Sequence, residues 1–212
     1  VFEQKGKEDS VEADVVLVAT GRKPRAEGRN VEAAGITLAP NGSIPVDENF
    51  CLSTLNSQLS TVYAIGDVNG KQMLAHAAEM QAIRAVNHIL GKKDNICFDI
   101  MPAAIFTTPE AACVGASEDQ LKEQGVEYEC RKAFYRANGK ALAMNEPEGL
   151  LKLFSEPNAG KILGCHVFGA HSADLVQEAS VLMCLDTTVE QLRDMVHIHP
   201  TLSELLFAAA EA

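Results

Sequence analysis

Leu150-Leu151-Lys152-Leu153-Phe154 and Lys161-Ile162-Leu163-Gly164-Cys165-His166-Val167-Phe168, joined through Glu156-Pro157-Asn158-Ala159-Gly160, decide the fold. The outer segments alternate enough to read as antiparallel strands, and Pro, Asn and Gly between them supply a turn. Residues 127–135 read as a third strand of the same kind, and Pro102-Ala103-Ala104-Ile105-Phe106-Thr107 as a further candidate. The spacing predicts a helix over 117–124 with Ser117 as its N-cap. Downstream, helices are expected over 172–185 and from 202 to the end, with a short turn over 189–195. Strands packed on segregated helices make an α+β domain, with an antiparallel sheet flanked by helices.

The preceding part reads differently. Residues 1–20 suggest a hairpin: Val1-Phe2-Glu3-Gln4, a polar turn around Gly6-Lys7-Glu8-Asp9, then the apolar run Val15-Val16-Leu17-Val18-Ala19. Such a run suits a strand buried on both faces. Residues 25–60 are loop-rich, and Ser43-Ile44-Pro45-Val46-Asp47 reads as a short edge strand, where proline is tolerated. Thr61-Val62-Tyr63-Ala64-Ile65 reads as a strand, followed by Gly66-Asp67 and a helix from Ala77 to about Leu90.

Composition limits the functions. The chain has 212 residues, 47% of them hydrophobic and 22% charged, which indicates a soluble globular protein. A net charge of -11 argues against nucleic-acid binding, which wants a basic face. No apolar run approaches membrane-spanning length, and Val1-Phe2-Glu3-Gln4 does not open a signal peptide. The six cysteines are scattered, without metal-ligand spacing, so no metal site is expected. Dispersed cysteines point to reduced thiols and a cytoplasmic location.

Potential proton chemistry concentrates in His197-Ile198-His199-Pro200-Thr201-Leu202-Ser203-Glu204. Histidine exchanges protons near neutral pH. A carboxylate that accepts the proton on one ring nitrogen fixes the tautomer and raises the basicity of the other, which is the orienting half of a general-base pair. His199 with Glu204 fits that description. Thr201 and Glu204 equally fit a helix capping box, in which Glu204 serves the helix start and His199 is a loop histidine. A second open question concerns Gly66-Asp67. A glycine at a strand end lets a ligand approach the backbone and an aspartate can accept hydroxyl hydrogen bonds, yet a turn without ligand has the same sequence.

His-x-His-Pro-Thr-Leu-Ser-Glu resembles the C-terminal signature of the flavin-dependent pyridine nucleotide–disulfide oxidoreductases, most closely the dihydrolipoamide dehydrogenase branch. The resemblance makes His199 the acid/base and Glu204 its orienter, and gives His197 no role. Ala19-Thr20-Gly21-Arg22-Lys23-Pro24 is similar to the family's exit from the nicotinamide domain. Tyr63-Ala64-Ile65-Gly66-Asp67 is similar to its second flavin motif, whose Asp bonds the ribityl chain, and Met73-Leu74-Ala75-His76 to the segment along the isoalloxazine. Gly21, Gly66, Asp67, Met73, Leu74, Ala75 and His76 are therefore the implied cofactor-binding positions. Ile105-Phe106-Thr107-Thr108-Pro109-Glu110-Ala111-Ala112-Cys113-Val114-Gly115 resembles the opening of the family's interface domain, and Gly164-Cys165-His166-Val167-Phe168-Gly169 a strand end within it. Thr108 stands where relatives often carry His.

On this resemblance residues 1–98 are a remnant of the NAD and FAD domains, a partial nucleotide-binding α/β segment, and 99–212 a dimerisation domain. The chain has neither Gly-x-Gly-x-x-Gly nor the Cys-x-x-x-x-Cys redox pair, so it is expected to be the C-terminal half of a longer homodimeric enzyme using FAD and NAD. By itself it is expected to bind flavin weakly or not at all. In the family the histidine reaches the disulfide of the other subunit. Components of 2-oxoacid dehydrogenase complexes are the implied partners. Glutathione reductase-like activity and a non-catalytic dimerisation module are the rival readings.

Overall fold

The computed structural model describes residues 1–28, 30–52 and 61–212. It divides into two compact units, Val1–Ile89 and Leu90–Ala212. Parts of the loop-rich stretch, at 29 and 53–60, lie outside the described residues.

In the first unit, β1 (Phe2–Gln4) and β2 (Lys7–Asp9) pair antiparallel. Lys5 and Gly6 turn between them with φ of 53° and 75°, the two positive φ values that match the twist of a tight hairpin. The return strand is thus Lys7–Asp9 and not the apolar run expected at 15–19. Val15, Val16, Leu17 and Val18 are 75–87% exposed and form no strand. A strand of that composition needs pairing on both edges and cover on both faces, and among the described residues nothing supplies either. The expected edge strand at 43–47 is also irregular: Pro45 lacks an N–H for a ladder, and Ile44 instead donates to the Val68 carbonyl at 2.9 Å. The strand expected over 61–65 shrinks to one bridge between Tyr63 and Cys51. Buried Ala26, Val31, Ile36, Ile44, Leu52 and Ala64 form a small core around these loops. Helix α1 (Ala75–Ile89) buries Ala77, Gln81 and Ala85, one face at a spacing of four.

The second unit carries the larger core. Its strands are β3 (Ala103–Ile105), β4 (Glu110–Gly115), β5 (Glu129–Phe134), β6 (Gly149–Ser155) and β7 (Ile162–Gly169). They form one antiparallel sheet in the order β3-β4-β7-β6-β5. The β6–β7 hairpin that the sequence predicts is its centre. Between β4 and β5 lies α2 (Glu118–Glu123), opened by a capping box of Ser117 and Gln120. Between β5 and β6 lies α3 (Gly139–Ala143), capped by Asn138. Helices α4 (Ser172–Cys184), α5 (Val189–Arg193) and α6 (Glu204–Glu211) follow the sheet.

Register separates the two faces. Val114 lies opposite Cys165 and Leu153 opposite Cys165 across the three central strands, and Ala112, Val167 and Leu151 repeat the row. All are buried, in one core with Leu175, Val176 and Ala179 of α4 and Leu205, Leu206 and Ala209 of α6. At one end of the sheet Tyr135 is fully buried, and its hydroxyl donates to the Ala170 carbonyl at 2.8 Å. The ring lies so close to Gly149 and Gly169 that a Cβ on Gly169 would come within 2.5 Å of Tyr135 Cζ. The fold is α+β, as expected, with a helix-backed antiparallel sheet after a partial nucleotide-binding segment.

Because Tyr135 has no room to retreat, Gly169→Ala is expected to destabilise the second unit by about 1–3 kcal/mol through overpacking. Urea unfolding followed by far-ultraviolet circular dichroism measures this, and an unchanged midpoint would contradict the packing argument.

Candidate active site

The segment 194–203 joins α5 to α6. Leu202 is buried, and Leu205 and Leu206 fix the first turn of α6 against the sheet core. Arg193, the last residue of α5, donates from Nε to the Ala210 carbonyl at 2.6 Å near the other end of α6. The loop is therefore held at both ends, and Glu204 is the first residue of a packed helix. A carboxylate there also meets the positive end of the helix dipole.

Glu204 divides its two oxygens. Oε1 lies 2.8 Å from Nδ1 of His199, and Oε2 accepts from the Thr201 N–H at 2.8 Å. These two hydrogen bonds, the backbone one first, hold the Glu204 carboxyl below the ordinary glutamate range. An ionised carboxylate only accepts, so the neutral ring of His199 carries its proton on Nδ1. Nε2 is left with its lone pair, has no partner among the described residues, and belongs to a side chain 77% exposed. The His199–Pro200 peptide bond is cis. Only half of the expected capping box exists. The Thr201 hydroxyl donates to the Ile198 carbonyl at 2.7 Å and does not cap α6, whose N-cap position is Ser203. The catalytic and the capping readings of Glu204 are thus compatible, one oxygen each.

His197 makes the contrast. Its Nε2 lies 3.2 Å from Glu178 Oε1 and its Nδ1 3.1 Å from the Met195 carbonyl, with a side chain 8% exposed. Both nitrogens are engaged, as in a structural histidine. A groove of about 390 Å³ opens beside the pair and is lined by His199, Glu204, Lys132, Phe134, Asn138 and Phe207.

The first unit brings together the other expected positions. Gly66 has φ of 72° and opens a 3-10 turn, Gly66–Asn69. Its N–H donates to Oε1 of the buried Gln81 at 2.8 Å, so that amide is already used. Asp67 pairs with Arg22 at 3.3 Å and is half-exposed. Arg22 also donates to the Met73 carbonyl, which clamps the Gly66-Asp67 turn to the entry of α1. Leu74 accepts the first bond of α1 from Ala78, and Ala75 and His76 begin that helix. Gly21 has φ of 80° and is exposed beside Arg22 in the chain. An accessible carboxylate next to a helix entry suits a polyhydroxyl chain, so the residues present fit the ribityl end of a flavin. A bound flavin would supply two-electron transfer, and Asp67 and the start of α1 are the residues that would hold it.

Arg22, Gln81 and Asn138 hold parts of these sites in place without having been expected as site residues. Gln81 left a signal, a polar residue on the stripe between Ala77 and Ala85. Arg22 and Asn138 are identifiable only from their partners, 45 and 63 positions away.

Residues 101–210 match the family described as pyridine nucleotide-disulphide oxidoreductase, dimerisation domain, and residues 1–82 match the one described as pyridine nucleotide-disulphide oxidoreductase. The chain belongs to the pyridine nucleotide–disulphide oxidoreductases. Similar curated proteins include a chloroplastic dihydrolipoyl dehydrogenase 2 of Arabidopsis thaliana, 44% identical over 96% of this chain and 37% of that protein. A mitochondrial dihydrolipoyl dehydrogenase of Pisum sativum is 39% identical over 98% of this chain and 40% of that protein. Among solved structures, LpdA from Mycobacterium tuberculosis superposes with a TM-score of 0.80 at 27% identity, covering 89% of this chain and 40% of that one. The chain spans about two fifths of the length of the relatives it matches. Among the described residues no helix is long and apolar enough to cross a membrane, and no group of three or more His, Cys, Asp or Glu residues could hold a metal ion.

A lowered carboxyl pKa has a signed consequence. Glu204 contributes stability that is present above the ordinary glutamate value of 4.5 and is lost as pH falls through its lower folded value. A carbon-detected titration is expected to place the Glu204 midpoint below 4.5. In Glu204→Gln the stability lost on acidification below that value should shrink, and an unshifted midpoint would contradict the two hydrogen bonds.

Proposed function

We propose that this chain supplies the acid/base pair and the dimer contact of a flavin-dependent, NAD-linked disulfide oxidoreductase of the dihydrolipoamide dehydrogenase type. The observation that carries the reading is the 2.8 Å contact between His199 Nδ1 and Glu204 Oε1, with Nε2 left open. A thiol has an ordinary pKa near about 8.5, so a dithiol needs a base to react at neutral pH. His199 Nε2 takes that proton, Glu204 steadies the resulting imidazolium, and the proton is later returned from the same atom. Gly21, Gly66, Asp67 and the Met73-Leu74-Ala75-His76 segment are the proposed flavin-side positions. The redox-active cysteine pair is not among the six cysteines of this chain by its spacing.

The domain assignment that goes with this reading is 1–98 for the nucleotide-binding remnant and 99–212 for dimerisation, supported by the two family matches at 1–82 and 101–210. The dimerisation-domain description supports a homodimer, in which His199 is proposed to face the partner's disulfide, and components of 2-oxoacid dehydrogenase complexes are the proposed larger assembly. None of the six cysteines, all of them among the described residues, is in a disulfide, which supports a reducing compartment, the cytoplasm or, as in the named relatives, an organelle. Relatives named leghemoglobin reductase favour a second reading of the substrate, in which another acceptor replaces lipoamide.

In a longer protein that carries the flavin turn and the cysteine pair, His199→Gln is expected to slow dithiol oxidation by roughly 10²–10⁴-fold while sparing flavin reduction by NADH. Glu204→Gln should cost about tenfold, since the base remains and only a charged hydrogen bond is lost. Stopped-flow measurement of the two half-reactions separates these effects, and equally small losses from both variants would sink the roles. Sedimentation equilibrium at micromolar concentration is expected to show a dimer of the 212-residue chain. A strict monomer at high concentration would count against the dimer contact.

A further inference from the structure

We propose that Asn138 is a positioning residue for the His199–Glu204 pair, acting through the backbone of Thr201. The inference rests on the acid/base reading above and adds to it a residue from a different part of the fold. Asn138 lies between β5 and α3 and is 7% exposed. Its Oδ1 accepts from the Ala141 N–H at 2.9 Å and caps α3. That fixes the orientation of the amide, because a backbone N–H can only donate and must face the oxygen. The NH₂ therefore points the other way, and it donates to the Thr201 carbonyl at 3.0 Å.

The cap alone does not call for asparagine. Serine or aspartate caps a helix about as well, since only an acceptor is needed. What asparagine adds is the second, donating half, buried and aimed across 63 positions of sequence. Its target is the residue on which the pair depends. Thr201 holds Glu204 Oε2 by its N–H, Glu204 Oε1 holds His199 Nδ1, and the Thr201 hydroxyl holds the Ile198 carbonyl. Thr201 thus uses its N–H, its C=O and its side chain at once, and the C=O is fixed from outside the loop. His199 is mostly exposed and has no other anchor for its ring among the described residues. The C=O belongs to the Thr201–Leu202 peptide and the N–H to the Pro200–Thr201 peptide, so Asn138 acts across the Thr201 Cα: if the backbone at Thr201 shifts, the N–H moves with it, the carboxylate loses its reference and the ring its tautomer. With no partner at Nδ1 the proton also populates Nε2, the atom that must accept one. The shared groove lined by Asn138, Gly139, His199 and Glu204 puts all four residues on one surface.

The test uses the 212-residue chain itself, labelled with ¹⁵N, at a pH where the His199 ring is neutral. Long-range proton–nitrogen correlation reads the ratio of the Nδ1–H to the Nε2–H tautomer. N138D keeps an acceptor for α3 and removes the donor, and N138S keeps an acceptor and removes the amide NH₂. In both, the ratio at His199 is expected to fall about fivefold, the weight of one ordinary hydrogen bond, while His197 keeps its parent signals and the Ala141 amide stays protected from exchange. An unchanged ratio in both folded variants overturns the proposal. Should both variants unfold, the hydrogen-bond scalar coupling between the Asn138 side-chain nitrogen and the Thr201 carbonyl carbon decides on the unaltered chain: its presence supports the link and its absence overturns it. The outcome is separable from that of the parent reading. A shifted ratio with no loss of dithiol oxidation in His199→Gln would remove the acid/base role and leave the Asn138 link standing. An unchanged ratio beside a slow His199→Gln would do the reverse.

Discussion

Burial of Leu205 and Leu206 against the sheet core is the constraint on which the candidate active site depends. Two adjacent leucines, both buried, set the rotation of α6 about its axis. Each is worth about 1.5–3 kcal/mol of transferred apolar surface, as much as a hydrogen bond to a charged group in the loop. Glu204 precedes them by one position, so the packing fixes where its side chain leaves the helix. The loop before it is then short enough to be shaped by that carboxylate. Packing thus sets the geometry, and electrostatics fills it in.

The glutamate itself shows why structural and chemical readings of a motif need not compete. A carboxylate has two oxygens with about four acceptor positions. One oxygen satisfies a backbone N–H that would otherwise be unpaired near the helix start, and the other orients an imidazole. The backbone bond is the larger cause of the lowered Glu204 pKa, so the structural contact also keeps the carboxylate charged for its neighbour. A glutamine in its place would keep one acceptor oxygen and lose the charge that steadies an imidazolium.

The sheet was legible because its strands alternate and its turn residues are strong signals. The 156–160 turn, the Ser117 cap and helices α4 to α6 fall where the pattern puts them within a few positions. β4 and α3 were not read as elements. Glu110–Gly115 mixes alanine, cysteine and glycine without strong strand preference, and Gly139–Ala143 is too short for helical periodicity. The His199–Glu204 contact was legible because five positions across a turn bring it about locally. The partners of Arg22, Gln81 and Asn138 were not, because a hydrogen bond between distant segments leaves no periodic trace in either. Val15-Val16-Leu17-Val18 misled for the opposite reason. Its composition describes a buried central strand, and composition carries no information on whether neighbours are at hand.

That exposed run also has the composition of a segment prone to pair with another chain. Four consecutive apolar residues, three of them β-branched, carry no charge and lack proline, which is the composition of segments that add to the open edge of another sheet. Asp14 before the run and Arg22-Lys23-Pro24 after it act as gatekeepers, one acidic and two basic residues followed by a residue that cannot donate to a ladder. Moderate ionic strength weakens the charged part of that protection and leaves the proline untouched. The residues that would temper such pairing lie far along the chain from the groove where its chemistry is proposed to occur.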